Sequence, residues 1–360
     1  MKFMMKTLIE SKGRHMNSAF AKRMKKRSLT IILVLVIISL FIPTPYYLYQ
    51  PGSVEELGSK VTVEGGEKDP TGNLHLTTVL SMRASNIYYL AYGWFAPHTD
   101  MRKVKEVRGD MTDDEYNRLL QHMMESSQNH AFAAGLRAAG EKVDIKPTGV
   151  FVRDVREDTD AKGKLEVGDV IQQIDGHKVE DAQAFLEYLS HKKAGDLVEL
   201  QFEREGSIKE EKVKLVPLTN STNTAGLGII SENEFYITPS RQISIDAGEI
   251  GGPSAGLMFS LEIYNQISQK HLTKGYEIAG TGEIDMDGNV GQIGGIREKI
   301  TAVEKAGMDI FFCPADIQPY DSNEKDVLNE AEKEGYKVKI VPVKTLQEAI
   351  DYLEKLPPKQ

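Results

Sequence analysis

The seven residues from Gly251 to Leu257, G-G-P-S-A-G-L, decide how the second half of this 360-residue chain folds. Two glycines let the chain turn sharply, and Pro253 fits the first turn of a helix, where its missing N–H costs nothing. The residues from Ala255 onward are apolar over almost the whole helix circumference, which predicts a helix buried inside a domain. Ser254 is therefore expected at the start of a buried helix.

A serine hydroxyl at this position has the environment of a nucleophile. The unpaired N–H groups of a helix start and the positive end of its dipole stabilise an oxyanion that forms beside them. We therefore take Gly252, Pro253 and Ser254 as the candidate oxyanion region. Serine is also a preferred N-cap, so a purely structural Ser254 is the alternative until a base is found.

The candidate base is a lysine. After residue 218 the only histidine is His271, in a polar segment typical of a turn, so a Ser-His-Asp triad has almost no candidates. The segment 294–307 predicts a helix between glycines, and Lys299 falls about 60 degrees from the centre of its apolar stripe. Burial lowers the pKa of a lysine, as a base for serine requires. A lysine that extends its charge past an apolar edge into water is the alternative.

Three motifs, joined by a glycine-rich run, carry a resemblance to a known family. G-P-S-A-G, the T-G-E that begins at Thr281, and G-G-I-R-E-K ending at Lys299 resemble the proteolytic domain of the Lon proteases, over residues 225–356. The resemblance implies a serine-lysine dyad, with Ser254 as nucleophile, Lys299 as general base and Thr281 as a hydroxyl that orients the lysine. The alternative for Thr281 is a strand threonine whose hydroxyl is hydrogen-bonded for structural reasons only. Many Lon proteins have an acidic residue where this chain has Gly251.

Residues 149–218 have a different pattern, which resembles a bacterial PDZ domain. Its strongest signature is L-E-V-G-D-V-I-Q-Q-I-D-G-H-K-V, followed by a helix and two strands. PDZ domains bind extended peptides by adding them to a sheet edge. We expect Gly149, Val150, Phe151 and Val152 near that edge, and an ordinary core strand is the alternative.

The residues before the PDZ pattern predict strands near 60–80 and a helix at 112–140, and they resemble the opening part of a Lon-type protease domain. We expect a PDZ domain at 141–218, inserted in a protease fold formed by 50–140 and 219–357. Three consecutive domains are the alternative. A polar linker follows Leu218.

Residues 29–49 carry no charge, which predicts a transmembrane helix that would span about 31 Å. A removable signal peptide is the rival, but no small-x-small cleavage site follows the apolar block. Residues 1–28 hold nine Lys or Arg against one Glu and predict a basic cytoplasmic segment. The expected fold is one transmembrane helix, an α+β Lon-type protease domain and a β-rich PDZ domain with helices. The expected location is a bacterial cell membrane, with the catalytic part extracytoplasmic.

Composition and motif searches exclude several classes of partner. The formal net charge is −9 and residues 1–28 carry +8, so the rest carries −17, which argues against nucleic acid. The single cysteine, Cys313, allows no internal disulfide. No metal-binding spacing occurs, so we expect neither a metal nor another cofactor. No G-x-x-x-x-G-K-[S/T] motif occurs, so we expect no use of ATP.

Together these patterns predict an ATP-independent serine endopeptidase that cleaves exposed or unfolded segments or secreted peptides. Beyond the predicted anchor, nearly the full chain resembles the membrane-anchored, PDZ-containing Lon-like proteases of Gram-positive bacteria. The alternative is an inactive, membrane-tethered PDZ scaffold that binds peptides, for which Gly251 is the best argument. Protein or peptide substrates are the expected partners. Lon domains often form rings, so a homo-oligomer is also considered.

Overall fold

The structure, a computed structural model, describes residues 26–217 and 225–359. Most of the predicted basic segment and the predicted linker after Leu218 lie outside these residues. In chain order, the elements up to residue 138 are α1 (26–39), β1 (Tyr46–Glu56), β2 (Val61–Val63), β3 (Asn73–Arg83), α2 (Ile87–Phe95), β4 (Asp100–Lys103), α3 (Val104–Arg108) and α4 (Asp113–Ala138). The next are β5 (Val143–Val155), β6 (Val170–Ile174), β7 (His177–Lys178), α5 (Ala182–Ser190), β8 (Leu197–Arg204), β9 (Ser207–Lys214) and β10 (Val216–Pro217). The last are β11 (Ala225–Gly226), β12 (Ile229–Pro239), β13 (Ile243–Ile245), α6 (Gly256–Ser268), β14 (Glu277–Gly280), β15 (Glu283–Ile284), β16 (Val290–Gly291), α7 (Ile296–Lys305), β17 (Ile310–Pro314), α8 (Asn323–Glu334), β18 (Lys339–Val343) and α9 (Leu346–Lys355).

The predicted transmembrane helix at 29–49 is wrong, and with it the predicted single-pass membrane location. Among the described residues, no helix combines the length and the apolar character that crossing a membrane requires. α1 ends at residue 39, shortly before Pro43 and Pro45, which cannot continue a helix. The residues Tyr46–Tyr49, assigned to the span, instead open β1 and pair antiparallel with β4. Tyrosine is a good strand former as well as a residue of membrane interfaces, and the sequence pattern did not separate these two uses.

The chain divides into two compact units. The smaller comprises residues up to 49 together with 81–107, and it contains α1, α2 and β4. Within it, Asn86 caps α2 because its side chain accepts hydrogen bonds from the amides of Tyr88 and Tyr89. The larger unit comprises 50–80 and 108–360, and all candidate site residues belong to it.

A central sheet organises the larger unit, with strand order β18-β17-β14-β3-β1. β3, β14, β17 and β18 run parallel, and residues 73–76 of β3 pair with Glu277–Gly280 of β14. The strands of this sheet therefore come from both sides of the segment 143–217 in the sequence.

Helices cover both faces of this sheet because successive side chains of a strand point to opposite faces. Leu74, Ile278 and Phe312 lie in one core with buried residues of α4, α6 and α9. Phe311 and Cys313 lie in the other core, beneath α7 and α8. Most residues of α6 are buried, as its composition predicts.

The helix predicted at 112–140 is α4, and the side chains of Thr112 and Glu115 form a capping box at its start.

A second sheet has the antiparallel strand order β12-β5-β6-β8-β9, with β7 attached to β6. Phe185 and Leu189 of α5 are buried in its core together with Phe202 of β8. β12 is an end strand of this sheet, whereas β5 has a neighbour on each side.

Candidate active site

Ser254 lies in the turn that leads into α6. The helix begins at Gly256, so the serine precedes its first residue by two positions rather than occupying the first turn. Gly252 has a φ of 88°, a conformation that glycine adopts without strain, and it makes the sharp bend before the serine. The Ser254 carbonyl accepts a hydrogen bond of 2.9 Å from the Gly282 amide, which ties the turn to the segment that follows β14.

The structure brings Lys299 to this serine. The lysine lies in the first turns of α7 and is only 2% exposed, as its position near the apolar stripe predicts. Its Nζ lies 2.7 Å from Ser254 Oγ, 2.9 Å from Thr281 Oγ1 and 3.1 Å from the carbonyl oxygen of Thr77. Three acceptor groups, from β3 and from the residues beside α6 and β14, therefore surround one amine.

The hydrogen bonds of this cluster determine which way the serine proton points. The Thr77 carbonyl can only accept, so one N–H of Lys299 donates to it. The Thr281 hydroxyl donates to the Ser254 carbonyl at 3.0 Å, so its oxygen accepts a second N–H. A neutral amine has two N–H groups and one lone pair. The lone pair therefore remains for the Ser254 O–H, which is the geometry of a base about to take a proton.

Burial supplies the neutral amine that this arrangement needs. Complete burial of Lys299 disfavours its ammonium form and lowers the pKa of Lys299 from its ordinary value to about 7. After proton transfer, the same three oxygen contacts would suit an ammonium group with three N–H donors. The cluster thus accommodates both protonation states, and only the bond to Ser254 reverses its direction.

Thr77 is the member of this cluster that sequence reasoning missed. It contributes a backbone carbonyl, which any residue type would supply, so no side-chain signal marks it. Its place beside Lys299 depends on the pairing of β3 with β14, between residues about two hundred positions apart. Its own hydroxyl donates to the carbonyl of Gly280 and so fixes the strand.

Of the three residues predicted for the oxyanion region, only one has a backbone amide that is available to donate. Pro253 has no N–H, and the amide of Gly252 donates to the carbonyl of Leu120 in α4 at 2.9 Å. The Ser254 amide donates to no group within the described parts of the chain. Of the two amides in this region, it is therefore the one that can donate to an oxyanion without first losing a hydrogen bond. A Cβ at Gly251 would lie 3.1 Å from the Cβ of Leu120, so close packing against α4 accompanies the missing acidic residue.

His271 takes no part in this cluster. It lies beyond the C-terminal end of α6, at the opposite end of that helix from Ser254, and its Nδ1 lies 3.9 Å from Asp69. Cys313 is buried in β17, and burial raises the pKa of its thiol, which suits a core residue rather than a nucleophile.

The predicted peptide-binding residues lie in the interior of the second sheet. Gly149, Val150, Phe151 and Val152 belong to β5, which pairs with β12 on one side and with β6 on the other. Phe151 is buried, and its ring stacks on His122 of α4 with ring centres 3.4 Å apart. A peptide cannot add to β5 while β12 is paired with it.

β12 is one of the two edge strands of this sheet, and sequence reasoning did not select it. α5 lies beside it, because the amide of Ala182 donates to the Asn233 side chain at 2.7 Å. The signal that could have found β12 is the alternating segment after G-L-G-I at 226–229, at the junction of the two predicted domains. The groove between β12 and α5 is therefore the place where an extended segment could add to the sheet.

Two segments of the chain match known protein families. Residues 224–355 match the Lon protease (S16) C-terminal proteolytic domain, and residues 118–215 match the PDZ domain. A Lon protease of Aster yellows witches'-broom phytoplasma is 35% identical over 121 residues, which are 33% of this chain and 14% of that protein. A Lon protease of Trichlorobacter lovleyi is 34% identical over 134 residues, 35% of this chain and 15% of that protein.

A solved structure gives a further similarity. The PDZ domain of an SdrC-like protein from Listeria monocytogenes is 32% identical, covering 23% of this chain and 87% of that one, with a TM-score of 0.23. The chain spans about a seventh of the length of the two Lon proteases, which are the larger proteins. The chain thus carries a PDZ domain together with a proteolytic domain of the Lon (S16) family of serine proteases.

Proposed function

We propose that this chain is a serine endopeptidase in which Ser254 and Lys299 form the catalytic dyad. The single observation that carries the proposal is the 2.7 Å contact between Ser254 Oγ and the buried Nζ of Lys299. Ser254 attacks the scissile carbonyl while Lys299 accepts its proton, and Lys299 then returns the proton to the leaving amine. Water clears the acyl-enzyme in a second step.

Thr281 and Thr77 hold the lysine in place during these steps. The Thr281 hydroxyl and the Thr77 carbonyl each accept an N–H of Nζ, so the amine cannot turn its lone pair away from the serine. The Ser254 amide makes no hydrogen bond within the described residues and belongs to the same residue as the nucleophilic Oγ, so it is the proposed oxyanion donor.

We propose further that the reaction needs no ATP. The 360 residues contain no phosphate-binding loop motif. A protease that works without ATP acts on chains that are already extended, so the proposed substrates are exposed or unfolded segments and short peptides. Substrate or effector peptides add to the edge of β12, facing α5.

The experiment that tests this function measures hydrolysis of labelled casein by the full chain without ATP. We expect activity for the wild type, none for Ser254→Ala, and a loss of about 10²- to 10⁴-fold for Lys299→Ala. Lys305→Ala is the matched control, because Lys305 lies on the same helix but is exposed, and its activity should equal that of the wild type.

Two results would contradict the proposal. Full activity of Lys299→Ala would exclude this lysine as the base. An inert wild type that still binds peptides would instead favour the PDZ scaffold. Circular dichroism of each variant shows whether a loss reflects unfolding.

A further inference from the structure

One face of α4 is directed at the peptide units that precede the nucleophile. Leu120 and Ser127 are seven residues apart, which is about two helical turns, so they lie on the same side of the helix. The Leu120 carbonyl accepts the amide of Gly252 at 2.9 Å, and the Ser127 hydroxyl donates to the Pro253 carbonyl at 3.0 Å. Two consecutive residues before Ser254 are thus held by one helix, which lies outside the segment matched to the Lon proteolytic domain.

The bond made by Ser127 is unusual for a serine within a helix. Such a serine commonly donates to a carbonyl of its own preceding turn, as Ser260 of α6 does to the carbonyl of Gly256 at 2.8 Å. Ser127 is 3% exposed and donates across to another segment instead. Its acceptor also receives a longer bond of 3.4 Å from the Gly256 amide, so the Pro253 carbonyl is held from two sides.

The Pro253 carbonyl belongs to the same peptide group as the Ser254 amide. A peptide group is planar and trans, so its C=O and N–H point in opposite directions. A group that fixes the Pro253 carbonyl therefore also fixes the direction of the Ser254 N–H. A hydrogen bond to the carbonyl also polarises the peptide group, so the N–H of the same group becomes a stronger donor.

We propose that Ser127 is a positioning residue for the oxyanion donor of this protease. It acts through the Pro253–Ser254 peptide group and touches neither the substrate nor Lys299. The inference rests on the proposed function, because it assigns the Ser254 amide a role that only acyl transfer needs. It adds a residue of α4, within the range matched to the PDZ domain, to the machinery of the active site.

The test compares the full chain with Ser127→Ala and Ser127→Cys. The alanine variant removes the donor and leaves a small gap, whereas the cysteine variant fills the space with a weak donor. Loss of a complete oxyanion donor costs about 10²- to 10³-fold in kcat, so a donor that stays present but loses its alignment should cost about tenfold to a hundredfold. We expect this loss in kcat for both variants, with KM unchanged.

A second readout separates positioning from general destabilisation. A peptide aldehyde forms a tetrahedral adduct with a nucleophilic serine, so its binding should weaken by the same factor as kcat. Ala134→Gly is the matched control. Ala134 is buried on the same face of α4 as Ser127, two turns further along, and glycine there weakens the helix without touching Pro253. This control should lower Tm and leave kcat and aldehyde binding unchanged.

The outcomes distinguish the two levels of the proposal. If the wild type cleaves casein and both Ser127 variants keep its kcat, the positioning role is overturned and the dyad stands. A loss confined to KM, or an equal loss in Ala134→Gly, overturns it as well. If the wild type neither cleaves casein nor binds the aldehyde, the proposed function fails together with this inference.

Discussion

Lys299 is held in a site that would be unfavourable for most lysines. It is buried, yet all three directions of its amine end on oxygen atoms, so neither protonation state leaves a polar hydrogen without an acceptor. Burial, with no carboxylate among the three contacts of Nζ, favours the neutral form, which is the form that the reaction needs at neutral pH. The three contacts of Nζ are hydroxyl or carbonyl oxygens, and none of them is a counter-ion that would stabilise the ammonium form.

Glu262 of α6 provides a test of burial at the residue scale. It is 4% exposed, and burial, assisted by the negative charge of Asp69, raises the pKa of its carboxyl. Above the ordinary pKa of glutamate the unfolded chain releases this proton while the folded protein retains it, so stability falls as pH rises. Glu262→Gln keeps the oxygen that accepts the 2.7 Å bond from Gln266. We expect it to raise Tm by roughly 2 to 4 °C at pH 8 and to leave Tm unchanged near pH 4.

Thermal unfolding of the variant and the wild type at the two pH values measures this effect. Glu187→Gln, at an exposed position of α5, is the control and should leave Tm unchanged at both. An equal Tm for Glu262→Gln and the wild type at pH 8 would show that the buried carboxyl carries no penalty.

At the scale of elements, β12 at the edge of the PDZ sheet leads to a prediction about peptide binding. β12 carries Ile229, which is partly buried against the PDZ core, and α5 faces the edge near Ala182. Leu186 lies one turn further along the same side of α5 and is 58% exposed. We therefore expect an apolar side chain of a peptide added to β12 to contact Leu186.

Leu186→Lys places a charge in this groove. We expect it to weaken binding of a fluorescein-labelled peptide with apolar C-terminal residues by about tenfold, a change of about 1.4 kcal/mol. Fluorescence anisotropy measures the affinity. Ile208→Lys is the matched control, since Ile208 is similarly exposed but lies on β9, at the opposite edge of the sheet. Equal weakening by both variants would indicate an effect of charge rather than docking in this groove.

The helices that carry the chemistry could be predicted from the sequence because their apolar periodicity is local. α4, α6 and α7 follow from hydrophobic spacing, glycines and a capping box. Whether residues 149–152 lie at a sheet edge or in a core strand could not be predicted in the same way, because the neighbour of a strand depends on a partner far along the chain. β12 pairs with β5 from the other side of about seventy intervening residues, and alternation alone does not show which strand ends the sheet.

At the scale of the whole molecule, the active site depends on segments that are distant in sequence. β3 supplies Thr77 and lies beside β14, while α4 supplies Ser127, and both precede the second sheet along the chain. The residues matched to the Lon domain, 224–355, therefore do not contain every residue of the proposed site. Motif spacing predicted Ser254, Lys299 and Thr281 as site residues, whereas the contacts made by β3 and α4 became visible only in the folded chain.

The measurement that tests the dyad most directly is the pH dependence of Ser254 modification by a fluorophosphonate. The labelled residue is identified by mass spectrometry, and the rate is followed from pH 5 to 9 in the full chain. Because burial lowers the pKa of Lys299 to about 7, the base is neutral above that pH and protonated below it. The rate at Ser254 should therefore rise through pH 7 to a plateau, with a value at pH 5 about a hundredfold lower, and Lys299→Ala should abolish the plateau. A rate that is independent of pH, or label found on a residue other than Ser254, would contradict the assignment of this serine and lysine as the catalytic pair.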